Sequence, residues 1–177
     1  MIDSFGFILS LSQADNDALS PIIANLQYKY CNQPPFEPHL SIYHPSQPIS
    51  LDNAIKIASD SISGIKPFTI QADGFGHENV WTKILYISIK PSLILDHIRS
   101  KIKTSLHEKT GNLFIPHISL MYKDELNAID RAKIVSEVSI PNTYTVTGIN
   151  IQSPGQENES WRDYTKWENV YSLPLSK

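Results

Sequence analysis

Two short segments of the chain carry one five-residue pattern: Pro38-His39-Leu40-Ser41-Ile42 and Pro116-His117-Ile118-Ser119-Leu120. Each reads Pro-His-apolar-Ser-apolar, and 78 residues separate His39 from His117. Successive side chains on a strand point to opposite faces. As strands, the segments place His39 with Ser41, and His117 with Ser119, on one face. Leu40, Ile42, Ile118 and Leu120 are left to anchor the other face in a core. A third His-x-Ser, His44-Pro45-Ser46, lacks both the leading proline and the apolar alternation. Only 12 of the 177 residues are proline, so chance does not readily supply two segments that satisfy every position.

Two imidazoles and two hydroxyls in one cleft are the inventory for acid–base chemistry on a phosphate. When water attacks a cyclic phosphodiester, one group takes its proton and another protonates the departing alkoxide. Histidine suits both tasks because its ordinary pKa, about 6.5, keeps both forms accessible near neutrality. Ser41 and Ser119 can donate to the non-bridging oxygens as their charge grows. A serine-nucleophile triad explains the pattern less well, since two mirrored copies would be redundant. A zinc site needs a third ligand and clustered spacing, and no His-x-His or His-Glu-x-x-His occurs. No glycine-rich phosphate loop or dinucleotide fingerprint is present either. Tyr122, just past the second motif, can contact phosphate or base, or can simply pack at a strand end. Trp81 is placed to stack on a base or to join the core.

The elements that must position these residues follow from the periodicity. Residues 4–11 read as a central strand, apolar on both faces. A helix capped at Asp15 or Asn16 runs to about Lys29 and is broken by Pro34 and Pro35. The first His strand covers 38–43. Ser50 caps a helix near 51–63 that Gly64 ends. Strands are expected at 67–75 and 81–90, and a helix over 92–108 stops at Gly111. The second His strand spans 114–121 and a helix lies near 125–138. Strands at 143–152 and 164–173 flank a polar loop over 153–160. The order strand, helix, His strand, helix, strand recurs, as a duplicated unit of about 80 residues would give. The expectation is α+β: a single bilobal domain over 1–177, with two antiparallel sheets facing a cleft and helices outside.

Composition narrows the partners. The formal charge is −3, with 15 basic residues scattered among 18 acids. A protein that grips long nucleic acid usually shows a basic stripe, so a small or terminal substrate is expected. No apolar run approaches the roughly 20 residues of a membrane span. The first four residues lack the basic start of a signal peptide. Cys31 is the one cysteine, which excludes an internal disulfide and suits a reducing cytoplasm. Cys31 itself reads as a small packed residue rather than a nucleophile.

The paired motifs resemble those of the 2H phosphoesterase superfamily, whose hallmark is two His-x-Ser/Thr-x segments in a duplicated α+β fold. Phe36-Glu37-Pro38-His39 and Pro116-His117-Ile118-Ser119-Leu120-Met121-Tyr122 are similar to the plant and yeast cyclic phosphodiesterases. The resemblance implies metal-independent opening of nucleoside 2′,3′-cyclic phosphates or ADP-ribose 1″,2″-cyclic phosphate. It implies His39 and His117 as the catalytic pair, with His117 as base and His39 as acid. Ser41 and Ser119 become phosphate ligands and Tyr122 a pocket residue, and no cofactor is implied. The expected partner is a small nucleotide, with RNA ends as an alternative, and the chain is expected to act as a cytoplasmic monomer. The first strand, Phe7-Ile8-Leu9-Ser10-Leu11, departs from the plant pattern in lacking a Trp, which leaves the base or sugar contact unassigned. Three alternatives stay open: 2′-5′ ligase-like processing of RNA ends, cleavage of cyclic oligonucleotide signals, and a nucleotide-binding module without turnover.

Overall fold

A computed structural model describes residues 5–108, 113–155 and 162–176. The expected helix stop at Gly111, most of the 153–160 loop and the N-terminal tetrapeptide lie outside the described residues. The strands are β1 (Gly6–Leu11), β2 (His39–Tyr43), β3 (Phe68–Gly76), β4 (Leu85–Ile89), β5 (His117–Met121), β6 (Thr143–Ser153) and β7 (Glu168–Pro174). The α-helices are α1 (Gln13–Leu26), α2 (Leu51–Ile62), α3 (Leu93–Ser105) and α4 (Ala128–Glu137). The class is α+β, as the sequence led us to expect.

Every strand pairing is antiparallel, along the path β2-β1-β6-β3-β4-β5 with β7 on β6. The two expected sheets are thus joined. β3 pairs with β6 through Phe68–Gln71 and with β4 from Ala72 to Gly76. The register shifts between Ala72 and Phe75, where Gly74 has φ +82°. Glycine adopts that left-handed conformation without the Cβ penalty, so the strand can bend there and serve both halves.

The internal repeat is visible in the hydrogen bonding. Ser10 pairs with His39 and Leu9 with Leu40; Ser88 pairs with His117 and Ile87 with Ile118. The offset that carries His39 to His117 also carries Phe7 to Leu85, Ser10 to Ser88 and Tyr43 to Met121. Both pairings shift register at the same place, between Phe7 and Ile8 and between Leu85 and Tyr86. The third strand of each repeat is exchanged, for β3 joins β4 while β6 joins β1.

Helix starts are set by side-chain caps. Ser12, rather than Asp15 or Asn16, caps α1: its Oγ accepts from the Asp15 backbone N–H at 3.2 Å. The Asp15 carboxylate accepts from Thr145 N–H instead, tying the helix start to β6. Ser50 caps α2 as expected. Residues 81–83 form a 3₁₀ turn rather than the first residues of a strand, so β4 begins at Leu85. A single apolar cluster, which includes Phe7, Leu9, Leu40, Ile87, Ile118 and Ile149, unites the chain. Among the described residues no helix is long and apolar enough to cross a membrane.

Candidate active site

β2 and β5 are the two ends of the strand path, yet their Cα atoms approach within 8 Å. Both strands begin at their histidine. The proline before each has no N–H for the ladder, which fixes where pairing starts. His39 Nδ1 lies 2.7 Å from the carbonyl oxygen of Glu37, and His117 Nδ1 lies 2.8 Å from that of Ile115. Each acceptor is two residues upstream of its ring. A carbonyl only accepts, so Nδ1 must carry the proton and Nε2 is left without one in both neutral rings.

Their surroundings differ. His39 is 8% exposed and lies edge-on to Phe36 and Trp167, with centroids 6.2 and 6.3 Å away. Burial holds its pKa below the usual value, partly offset by the Glu37 carbonyl and carboxylate. His117 is half-buried with the Tyr86 ring 5.0 Å away. Tyr86 reaches this position because it lies flat on Gly76, where a Cβ would stand 2.2 Å from its ring. Burial is also the main cause that lowers the His117 pKa. Lys83 and His39 add to it, and the Ile115 carbonyl and Glu78 oppose it.

The rings line two cavities. One of about 510 Å³ is bounded by His117, Ser41, Lys83, Arg99, Tyr43 and Glu108, among others. The other, of about 240 Å³, is bounded by His39, Phe36, Glu37, Gln152, Trp167 and Asn169, among others. Ser41 stands two residues along β2 from His39, on the same face, so the serine of the first motif shares a cavity with the histidine of the second. The electrostatic effect of His39 on the His117 pKa reflects the same proximity. Ser119 lines neither cavity. It is buried, and its hydroxyl donates to the Thr82 carbonyl at 2.7 Å. Tyr122 is also buried, with Phe36 stacked at 4.0 Å and Trp81 at 4.8 Å on its two faces. Cys31 is half-buried, and burial pushes its thiol pKa up.

Several lining residues escaped the sequence reading. The Arg99 guanidinium sits between the Tyr43 and Phe114 rings, 4.9 and 4.8 Å from their centroids, and donates to the Ile42 carbonyl. Glu108 accepts from Tyr43 Oη at 2.6 Å, Ser46 N at 2.8 Å and Ser46 Oγ at 3.0 Å. Burial and then this bond push the Tyr43 pKa up to about 12. Nothing in local spacing marks Arg99 or Glu108, because α3 and the residues just after it bring them to β2 from far along the chain. Among the described residues no group of three or more His, Cys, Asp or Glu is arranged to hold a metal ion.

The buried imidazoles make stability depend on pH. Folding lowers both pKa values, so just below pH 6.5 the unfolded chain binds more protons than the folded one. Their contribution is intact above the unfolded pKa and is lost as pH falls through the folded values. The denaturant midpoint should therefore drop between pH 7 and pH 5, and His39→Gln should flatten the drop. An equal drop in wild type and variant would assign it to other groups.

An antiparallel α+β fold that brings two His-x-Ser strands together defines the 2H phosphoesterase class. Residues 16–157 match the 2′-5′ RNA ligase superfamily, and the chain belongs to it. Among solved structures it is similar to Escherichia coli LigT in apo form, with a TM-score of 0.62, 14% identity and 98% of each chain covered. TT0787 of Thermus thermophilus superposes with a TM-score of 0.64 at 12% identity over 97% of each chain. E. coli LigT complexed with 3′-AMP gives 0.57 at 14% identity over 98% of each chain. At such identities the likeness concerns the fold alone. No curated protein sequence matches the chain.

Proposed function

We propose that this protein hydrolyses small cyclic phosphates, nucleoside 2′,3′-cyclic or ADP-ribose 1″,2″-cyclic, without a metal and as one bilobal domain. The reading places it with the plant and yeast cyclic phosphodiesterases. The observation that carries it is the matched pair of imidazoles. Equivalent backbone carbonyls fix both as Nδ1–H tautomers, on neighbouring strands, with Nε2 left to react. E. coli LigT has been crystallised with 3′-AMP and with phosphate, which accords with a small nucleotide ligand.

His117 borders the larger cavity and acts as base; the more enclosed His39 acts as acid. His117 Nε2 takes a proton from water as its oxygen bonds to phosphorus. The P–O3′ bond breaks, and His39 Nε2–H protonates the departing O3′. The product is a 2′-phosphate, and solvent exchange resets the two rings. Ser41 donates to a non-bridging oxygen. Ser119 does the same by turning its hydroxyl from the Thr82 carbonyl to the phosphate, an exchange of one hydrogen bond for a charge-assisted one. Lys83 and Arg99 on the cavity wall offset the phosphate charge.

The test is a substrate panel with EDTA present: four 2′,3′-cyclic nucleotides, ADP-ribose cyclic phosphate, RNA with a cyclic-phosphate end, and cyclic dinucleotides. Turnover of the small cyclic phosphates is expected. Activity confined to RNA, or activity that EDTA abolishes and zinc restores, would reject the reading. The pH profile adds a second check. A base and an acid with depressed pKa values give a bell in kcat/KM whose centre lies on the acid side of pH 6.5. Bound phosphate stabilises both imidazolium forms, so the kcat profile should lie at higher pH than that of kcat/KM. A profile flat from pH 5 to 8 is incompatible with two-histidine catalysis.

A further inference from the structure

Gln152 is an unusual residue for the place it occupies. It is 7% exposed and lines the 240 Å³ cavity beside His39. Among the described residues no hydrogen bond engages its carboxamide, and its polar atoms are not sealed from the cavity. A long glutamine held in that state at the wall of a cavity has a donor and an acceptor available for a ligand.

The sheet explains its aim. Ile8 pairs with Ser41 and Ser10 with His39, so all four share one face of the β1–β2 pair. β6 continues that face, since Ile8 pairs with Asn150 and Gln152 lies two residues further along. The β6–β7 register shifts between Ile151 and Gln152, which sets Gln152 opposite Asn169. Gln152 and Asn169 therefore point to the side that carries His39. Phe36 and Trp167 supply aromatic wall, and Asn169 Nδ2 donates to Glu37 Oε2 at 3.3 Å across the mouth.

Aromatic walls with one adjacent donor–acceptor pair match a flat heterocycle with the complementary pair on its edge. The volume is below the roughly 300–1,000 Å³ of drug-sized sites and suits one ring system. We propose that this cavity is the nucleobase slot of the substrate and that Gln152 reads the base edge. The inference rests on the cyclic-phosphate reading for the position of the phosphate between His39 and His117. It also supplies the base contact that β1, with no Trp, does not provide.

The test compares adenosine 2′,3′-cyclic phosphate with methyl riboside 2,3-cyclic phosphate, which has no base. In Gln152→Leu the ratio of the two kcat/KM values should fall about tenfold, through KM, as loss of a hydrogen-bonded pair implies. The same variant should unfold at about the same denaturant concentration, because the carboxamide makes no hydrogen bond to a described residue for the fold to lose. Should Gln152→Leu not fold, Gln152→Glu, of the same shape, should lower the ratio as well. An unchanged ratio with a lower midpoint overturns the inference, for the carboxamide would then serve the fold. If wild type turns over neither substrate, the cyclic-phosphate reading fails separately. Binding of adenosine 2′-phosphate against ribose 2-phosphate then decides the slot: a preference for the nucleotide that Gln152→Leu erases supports it, and equal affinities overturn it.

Discussion

Turnover of a small cyclic phosphate is expected to fall about 10²–10⁴-fold in His39→Ala and equally in His117→Ala, the range for loss of a positioned general acid or base. The symmetry of the clamps is the reason for expecting both. Each ring has its Nδ1 engaged by a carbonyl two residues upstream, and each strand starts at its histidine. Groups that act as a unit are not additive, so the double variant should be little worse than the poorer single one. The roles can be separated by the leaving group. A nitrophenyl phosphodiester needs no acid, so its cleavage should survive His39→Ala far better than His117→Ala. Near-wild-type rates in either single variant on the cyclic substrate would remove the mechanism. The opposite order with the nitrophenyl ester would exchange the two roles and leave the pair intact.

The matched pair of His strands was legible because it depends on local pattern. Proline before histidine, alternation after it and a repeat at fixed offset are all properties of short segments. The offset proved stronger than the motifs suggested, for it also relates Phe7 to Leu85 and Ser10 to Ser88. What the sequence hid was set by long-range pairing. The exchange of β3 and β6 between the halves leaves no mark on either strand. Gln152 lies on the face of His39 only because β6 crosses to β1. Ser41 and Ser119 are equivalent as letters and different in place. The 3₁₀ turn at Trp81–Lys83 offers a carbonyl to Ser119, whereas Ser41 opens onto a cavity. By sequence the same turn resembles strand, because Trp81 and Lys83 fit an alternation that continues into β4. Asp15 resembled a helix cap because aspartate prefers that position, but Ser12 precedes it by three residues and leaves its carboxylate for Thr145.

Tyr122 tests how the aromatic cluster serves the site. Tyr122→Ala is expected to lower stability by about 3–5 kcal/mol, the cost of deleting a buried aromatic ring. Phe36 and Trp81 stack on its two faces at 4.0 and 4.8 Å, and Tyr164 and Trp167 close around it at 5.3 and 5.7 Å. A ring covered on both faces cannot also stack on a base, and burial raises its hydroxyl pKa, so it stays neutral. Its service to catalysis would then be indirect. Phe36 lies three residues before His39 and lines the same cavity, and Trp81 adjoins Thr82, the partner of Ser119. Tyr122→Phe keeps the stack and should leave the denaturant midpoint near that of wild type and kcat/KM within about twofold, as expected where a hydroxyl makes no contact with the substrate. Tyr122→Ala, assayed well below its melting temperature, should show a raised KM from a displaced Phe36. A large loss of kcat in Tyr122→Phe with an unchanged midpoint would instead put the hydroxyl on the phosphate and make Tyr122 a direct ligand.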